Sequence, residues 1–179
     1  LKEARDRYSL AENQCFTNVD DFICSGIRAD GVIVATGDDT HYSISRKVIE
    51  AGMNLLLEKP MADSIDQCRE LVALAERRGV ITSMCYVMRY HPYYSRIKEI
   101  AASGELGEIK AIRHRVNVGI DRMTHTFVRG LWARKEDSSP IFISKCCHDV
   151  DFIFWLIGQD TPDEKMDIHS KGSLTRYCP

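Results

Sequence analysis

The middle of the chain alternates short apolar runs with amphipathic stretches. Gly31–Thr36 and Asn54–Lys59 are short runs dominated by valine, isoleucine and leucine, which is typical of strands buried on both faces of a sheet. Between them, Ile44, Val48 and Ala51 recur at helical spacing. The pattern therefore predicts a strand, a helix and a second strand in this order.

The same succession occurs once more immediately afterwards. Ser64 and Gln67 have the spacing of a helix capping box. The amphipathic stretch that follows ends at Gly79, and Val80–Val87 is a third strand-like run. Strands and helices that alternate with short connections are typical of parallel sheets with right-handed crossovers. We therefore predict three consecutive parallel strands, with helices between them, across residues 31–88.

The pattern changes near Tyr90, where this alternation stops. Beyond it, Pro92–Ala102 and Ile141–Ile157 have helical patterns, whereas Glu108–Val118 alternates loosely and is predicted to be a long strand. Met166–Arg176 is predicted to be a further strand. The chain is therefore expected to have an α/β fold in two parts, a parallel sheet followed by an α+β part.

Composition and charge exclude several classes of protein. The 179 residues are 44% hydrophobic and 28% charged with a net charge of -2, so a core can form and a strongly cationic nucleic-acid binder is disfavoured. The sequence has no signal peptide and no apolar run near the roughly 18 residues that span a bilayer. The seven cysteines contain no C-x-x-C pair. We therefore expect a cytoplasmic protein with reduced thiols, no metal site, and neither nucleic acid nor membrane as a partner.

Polar side chains follow the predicted strands at their carboxyl ends, where open parallel sheets bind ligands. They are Thr36, Asp38 and His41 after the first strand, Glu58 and Lys59 after the second, and Arg89 after the third. Each also has a structural interpretation: Thr36 can end a strand, Asp38 can cap a helix, and Arg89 can anchor the second part. Their coincidence at one sheet edge predicts a ligand-binding crevice.

Four motifs in the sequence resemble those of a known family. They are Ala35-Thr36 followed by His41, the tripeptide Glu58-Lys59-Pro60, Arg89-Tyr90 followed by Pro92, and His148-Asp149-x-Asp151 running into Trp155-Leu156-x-Gly158. As a combination they look like the Gfo/Idh/MocA oxidoreductases, which are NAD(P)-dependent dehydrogenases of sugars, cyclitols and related compounds. The resemblance covers most of the chain.

The resemblance implies two domains, both partial. Residues 1–89 would form a Rossmann-like, dinucleotide-binding domain, and residues 90–179 would form an α+β domain for substrate binding and for assembly into a homo-oligomer. The chain opens on Leu1 and enters a helical pattern at once. We therefore expect a fragment that is incomplete at both ends.

The resemblance also implies the roles of individual residues. Thr36, Asp38 and His41 are expected to contact the cofactor, NAD or NADP, and Arg89 to contact cofactor and substrate. Glu58 and Lys59 are expected near the nicotinamide, with Lys59 also on the substrate. The resemblance implies that His148 binds the substrate and helps to move its proton.

Two features depart from the family pattern. No two of the eleven glycines are spaced as G-x-G, so the phosphate-binding turn is missing and the fragment should bind dinucleotide poorly. The acidic residue that would contact the ribose is missing too, so the choice between NAD and NADP stays open. In addition, Ser144 stands four residues before His148, where many family members carry aspartate. A serine hydroxyl is a poor base, so proton transfer would rest on Lys59, Lys145 or His148. Lys145 can equally be a solvated helix residue.

The sequence therefore favours an oxidoreductase that transfers a hydride between a nicotinamide dinucleotide and a sugar, cyclitol or related polyol. Lys59 is expected to orient the substrate, and Trp132, Arg89 and Lys145 to help bind it. Ser144 slightly favours an alternative, a non-catalytic relative that binds dinucleotide or sugar in a sensory or regulatory role. An unrelated doubly wound binding domain would leave the late histidine motif unexplained.

Overall fold

The computed structural model describes residues 2–130, 133, 139 and 141–158. Its strands are β1 (Gly31–Val34), β2 (Asn54–Leu57) and β3 (Thr82–Met84). Its helices are α1 (Lys2–Tyr8), α2 (Val19–Cys24), α3 (His41–Glu50), α4 (Ile65–Arg78), α5 (Pro92–Ala102), α6 (Ile120–Met123), α7 (Ile141–Ser144) and α8 (Cys147–Ile157). Within these residues, none of the helices is both long and apolar enough to cross a membrane.

The three strands form one parallel sheet in the order β1-β2-β3. Val34 lies opposite Leu57, and Leu57 lies opposite Met84. The predicted run of three consecutive parallel strands is therefore confirmed, although each strand is shorter than its apolar run. The first strand ends early because the chain turns into a 3-10 helix at Asp38–Thr40. The third ends early because the chain reaches a second 3-10 helix at Val87–Tyr90.

Helices α3 and α4 cover one face of the sheet. Right-handed crossovers that step across a sheet in one direction place their helices on the same side. The core therefore lies between this face and the helices, and it includes Val34, Val48, Ile49, Leu55, Leu57, Leu71 and Leu74. On the opposite face Ile33 is 69% exposed and Ile81 is 72% exposed. The expectation of strands buried on both faces is thus wrong for the described residues.

The helix α4 has the ends that its sequence predicts. The Ser64 hydroxyl accepts a hydrogen bond of 3.3 Å from the backbone N–H of Gln67, as an N-cap does. Gly79 ends the helix with a φ of 63°, a left-handed conformation that glycine adopts without steric cost. These caps fix where the chain leaves β2 and enters β3.

A buried histidine joins the ends of the first two strands. His41 is 1% exposed; its Nδ1 lies 2.6 Å from the Pro60 carbonyl oxygen and its Nε2 lies 3.2 Å from the Thr36 carbonyl oxygen. Whichever ring nitrogen carries the proton donates to one of these carbonyls. Because Thr36 follows β1 and Pro60 follows β2, the imidazole fixes the separation of the two loops.

An ion pair joins the sheet to the second part of the chain. Arg89 donates from Nε to Asp151 Oδ2 at 2.9 Å and from Nη2 to Asp151 Oδ1 at 2.5 Å. Arg89 lies at the end of the loop after β3, and Asp151 lies within α8. The neighbouring Phe152 is buried and packs edge-on against Tyr94 of α5. The pair and this aromatic contact hold α8 at the carboxyl edge of the sheet.

Two elements of the second part differ from the prediction. Glu108–Val118 is extended but is not part of a sheet, because no strand lies beside it among the described residues; its anchor is a 2.8 Å contact from His114 Nε2 to Asp149 Oδ1. The predicted helix over Ile141–Ile157 is divided into α7 and α8 by a turn at residues 145–146. Serine and cysteine have low helix propensity, which favours a break there. The predicted strand at Met166–Arg176 lies outside the described residues.

Replacing His41 by alanine should destabilise the fold. The change leaves a cavity and removes the imidazole that lies between the Pro60 and Thr36 carbonyl groups, so we expect the free energy of unfolding to fall by about 3 kcal/mol. Urea denaturation of the full chain measures the effect. His125→Ala, at an exposed position, is the matched control and should cost less than about 0.5 kcal/mol. Equal effects of the two changes would show that the imidazole does not join the strand ends.

Replacing Asp151 by asparagine should also lower the stability. The Asp151 side chain is 7% exposed and that of Arg89 is 32% exposed, so the pair is only partly screened, and we expect a loss of about 2 kcal/mol in the free energy of unfolding. Glu99→Gln in the exposed Arg96–Glu99 pair is the matched control, with an expected loss below about 0.5 kcal/mol. A loss at Asp151 no greater than at Glu99 would contradict the anchoring role.

Candidate active site at the carboxyl edge of the sheet

A cavity of about 170 Å³ lies between the loop after β2 and the second part of the chain. Its described lining consists of Lys59, Val118, Arg122, Thr126, Ser144, Lys145 and His148. The volume exceeds the roughly 150 Å³ that accommodates a benzene ring. The cavity between the sheet edge and α8 is therefore large enough for a small six-membered ring.

Lys59 lies at the centre of the charged groups around this cavity. It directly follows Glu58, whose Oε2 accepts a hydrogen bond of 3.1 Å from the Lys59 backbone N–H. The Lys59 ammonium is close enough to Asp38 and His148 to influence the protonation of both side chains. The structure therefore brings Lys59 and His148, which are far apart in the sequence, to one cavity.

Asp38 forms a buried carboxyl group behind Lys59. It is 7% exposed, and its Oδ2 has no hydrogen-bond partner among the described residues. Burial raises the pKa of Asp38, and the positive charge of Lys59 opposes that rise. A buried oxygen without a partner is an acceptor still available to a neighbouring donor group.

The surroundings of His148 favour its neutral form. Burial lowers the pKa of His148 below its ordinary value of 6.5, and the positive charges of Lys145 and Lys59 lower it further. Its Nδ1 is buried without a partner among the described residues. Its ring packs edge-on against Tyr86, with 6.1 Å between the centroids. Burial also raises the pKa of Tyr86 to about 12. At neutral pH the imidazole can therefore accept a proton while the phenol keeps its own.

The other residues predicted at the ends of the strands lie at the same edge of the sheet but differ in burial and in their partners. Thr36 is exposed, and its Oγ1 accepts a 2.7 Å hydrogen bond from Thr40. His41 is buried between Thr36 and Pro60, and Arg89 is bound to Asp151. The structure thus adds a positioning role to His41 and Arg89, while their predicted contacts with the cofactor stay predictions.

Two residues at the junction of α7 and α8, Ser144 and Lys145, also line the cavity. Ser144 is 4% exposed, and its hydroxyl has no partner among the described residues. Lys145, predicted either as a catalytic and substrate-binding residue or as a solvated one, is half-buried and lines the cavity. Trp132, predicted to bind substrate, lies outside the described residues.

Sequence reasoning missed Arg122 and Thr126, which also line the cavity. Both lie in a polar, irregular segment that contains several basic residues. No spacing within that segment separates Arg122 from its neighbours, because its place at the cavity depends on how α6 packs in the fold. Sequence alone gives no signal for it.

The cysteines and acidic groups show no second site within the described residues. The six described cysteines are free thiols, and burial raises the pKa of Cys146 and Cys147. In this part of the chain no three His, Cys, Asp or Glu side chains are grouped as metal ligands would be. The cavity beside Lys59 is thus the place where titratable groups converge.

Comparison with known proteins finds similar oxidoreductases. Residues 2–86 match the family model GFO_IDH_MocA, described as an oxidoreductase family with an NAD-binding Rossmann fold. YteT of Bacillus subtilis strain 168, a protein named as an oxidoreductase, is 30% identical over 154 residues, which are 85% of this chain and 34% of that protein. The chain thus spans about a third of this relative's length.

Two solved structures are similar in fold and sequence. The myo-inositol 2-dehydrogenase of Lactobacillus plantarum superposes with a TM-score of 0.70 and 27% identity, over 81% of this chain and 42% of that one. An inositol dehydrogenase homologue of Azotobacter vinelandii, solved with NADH and myo-inositol, gives a TM-score of 0.54 and 25% identity, over 60% of this chain and 30% of that one. The partial Rossmann-like sheet predicted from the sequence is confirmed, and residues 2–86 match the Gfo/Idh/MocA oxidoreductase family.

Proposed function

We propose that this chain forms the nicotinamide-facing and substrate-facing part of an NAD(P)-dependent dehydrogenase that acts on a sugar, cyclitol or related polyol. One observation carries the proposal: Lys59 from the sheet edge and His148 from α8 line the same ring-sized cavity. Open parallel sheets bind ligands at this edge, and pockets between two parts of a chain are common substrate sites. The inositol dehydrogenases among the similar structures agree with a polyol substrate.

The residues at the strand ends suit the nicotinamide end of a dinucleotide. Thr36 offers an exposed hydroxyl, Glu58 a carboxylate and Lys59 an ammonium group. Such donors and acceptors would hold an amide and ribose hydroxyls. When bound, the dinucleotide takes or supplies the hydride. The chain has no G-x-G turn for the pyrophosphate.

Lys59 and His148 have different roles at the substrate hydroxyl. A secondary alcohol that is oxidised must release its hydroxyl proton, so a neutral base within hydrogen-bond reach is required. His148 is that base, since burial and two nearby cations keep the imidazole unprotonated. Lys59 donates hydrogen bonds to the same oxygen and stabilises the negative charge that develops on it. In the reverse direction the protonated imidazole returns the proton.

A second candidate, a binding protein without catalysis, is favoured by Ser144. A carboxylate is absent from this position, and the hydroxyl that replaces it is a weak base. A non-catalytic relative would bind dinucleotide or sugar without turnover. For either function we propose a cytoplasmic protein that assembles as a homo-oligomer through the second part of the chain, as the family resemblance implies.

Lys59→Ala should lower kcat by at least ~10²-fold in the full-length protein, the lower range for loss of a positioned acid/base group. The affinity for dinucleotide should change much less, because the pyrophosphate is bound elsewhere. Ser144→Ala should be nearly silent, and His148→Ala should fall between the two or match Lys59→Ala. The assay follows NAD(P)H absorbance with a panel of polyols and sugars, together with dinucleotide binding.

Lys110→Ala, on an exposed lysine distant in sequence from the motifs, is the control for Lys59→Ala and should retain normal turnover. A collapse of activity in Ser144→Ala, with intact turnover in Lys59→Ala, would reverse the proposed roles. Binding of dinucleotide or sugar without turnover of any panel member would favour the non-catalytic candidate.

A further inference from the structure

The cavity beside Lys59 carries an excess of positive charge. Three of its seven described lining residues, Lys59, Arg122 and Lys145, are cationic at neutral pH, and none of the seven carries a carboxylate. Oxidation of a neutral alcohol needs one base and one donor to the reacting oxygen, which His148 and Lys59 supply. Arg122 and Lys145 are therefore not explained by the proposed chemistry.

These two cations also lack protein partners in the described part of the chain. Neither the exposed Arg122 nor Lys145 forms an ion pair with it, whereas other cations do, such as Arg96 with Glu99. Lys145 is half-buried. A partly desolvated charge without a counterion is unfavourable, and a ligand that supplies the missing negative charge removes this cost.

The nearest carboxylates are engaged elsewhere. Asp149 follows His148 but binds His114 at 2.8 Å. One oxygen of Glu58 accepts from the Lys59 backbone, and Glu58 also lies against the thiol of Cys85. Asp38 is buried behind Lys59 and is not part of the lining. Position 144, which faces the cavity wall, holds a serine. The positive charge of the cavity is therefore not neutralised from within its described wall.

We infer that the substrate is a polyol bearing an anionic group, a carboxylate or a phosphate, which Arg122 and Lys145 bind while its reacting hydroxyl lies at Lys59 and His148. The inference rests on the proposed function and specifies the class of its substrate. A guanidinium group presents a planar pair of N–H donors that matches a carboxylate or phosphate, and an ammonium adds a point charge.

Equilibrium binding to the full-length protein tests this inference without requiring turnover. Titration calorimetry, with and without NAD⁺, compares three matched pairs: D-glucuronate with D-glucose, D-galacturonate with D-galactose, and D-glucose 6-phosphate with D-glucose. We expect at least one anion to bind ~10-fold or more tightly than its neutral partner, as charge-assisted hydrogen bonds provide. The anion with the larger gain in affinity over its neutral partner identifies the recognised group as a carboxylate or a phosphate.

Variants identify the residues responsible. Arg122→Gln and Lys145→Gln should each lower the affinity for the preferred anion by roughly 10-fold and should lower the affinity for the neutral sugar much less. Arg96→Gln is the matched control on an exposed helix and should change neither. Higher salt should weaken the binding of the anion only.

The outcomes separate this inference from the proposed function. The inference is overturned if no anion in the three pairs binds more tightly than its neutral partner, or if Arg122→Gln weakens both members of a pair equally. Neutral polyols that are oxidised while the anions neither bind nor react would overturn it and leave the dehydrogenase standing. Anions that bind through Arg122, in a protein that turns over neither the anions nor any polyol of the panel, would overturn the dehydrogenase and with it the claim that the bound anion is a substrate.

Discussion

The ion pair between Arg89 and Asp151 is the contact on which the candidate site depends. Arg89 ends the loop after β3, and Asp151 lies three residues after His148 on α8. Residues three apart on a helix share a face, so the contact that holds Asp151 at the sheet also turns His148 towards Lys59. The His41 imidazole fixes the loops after β1 and β2 in the same way. The ion pair thus holds α8 on one side of the cavity, and the imidazole holds the loops after β1 and β2 on the other.

Electrostatics then determines what this cavity can do. Lys59, Lys145 and Arg122 lie around an imidazole that burial already disfavours as a cation. The charges of Lys145 and Lys59 favour a neutral base at His148, and all three cations attract an anionic ligand. The same arrangement therefore connects proton transfer with substrate recognition. Ser144, in place of a carboxylate, keeps a compensating negative charge out of the cavity wall.

The sequence predicted the sheet well because its signals are local. Apolar runs, the capping residue Ser64 and the terminal Gly79 determine strands and helices from neighbouring residues. Strand-end residues such as Lys59 were also found, since parallel strands end at one edge. Tertiary packing determined the rest: the extended Glu108–Val118 has no paired strand beside it among the described residues, and Arg122 reaches the cavity through the packing of an irregular segment. Neither leaves a pattern in the sequence.

The most direct measurement is an NMR titration of the His148 side chain, assigned among the six histidines by its absence in His148→Gln. The account places His148 beside Lys59, so its pKa should lie below 6.5 and should rise when Lys59→Gln removes the neighbouring charge. Since the neutral form is favoured above the lowered pKa, the imidazole stays unprotonated through neutral pH. The control Lys110→Gln should leave the titration unchanged. A pKa at or above 6.5 that Lys59→Gln does not move would contradict a shared site.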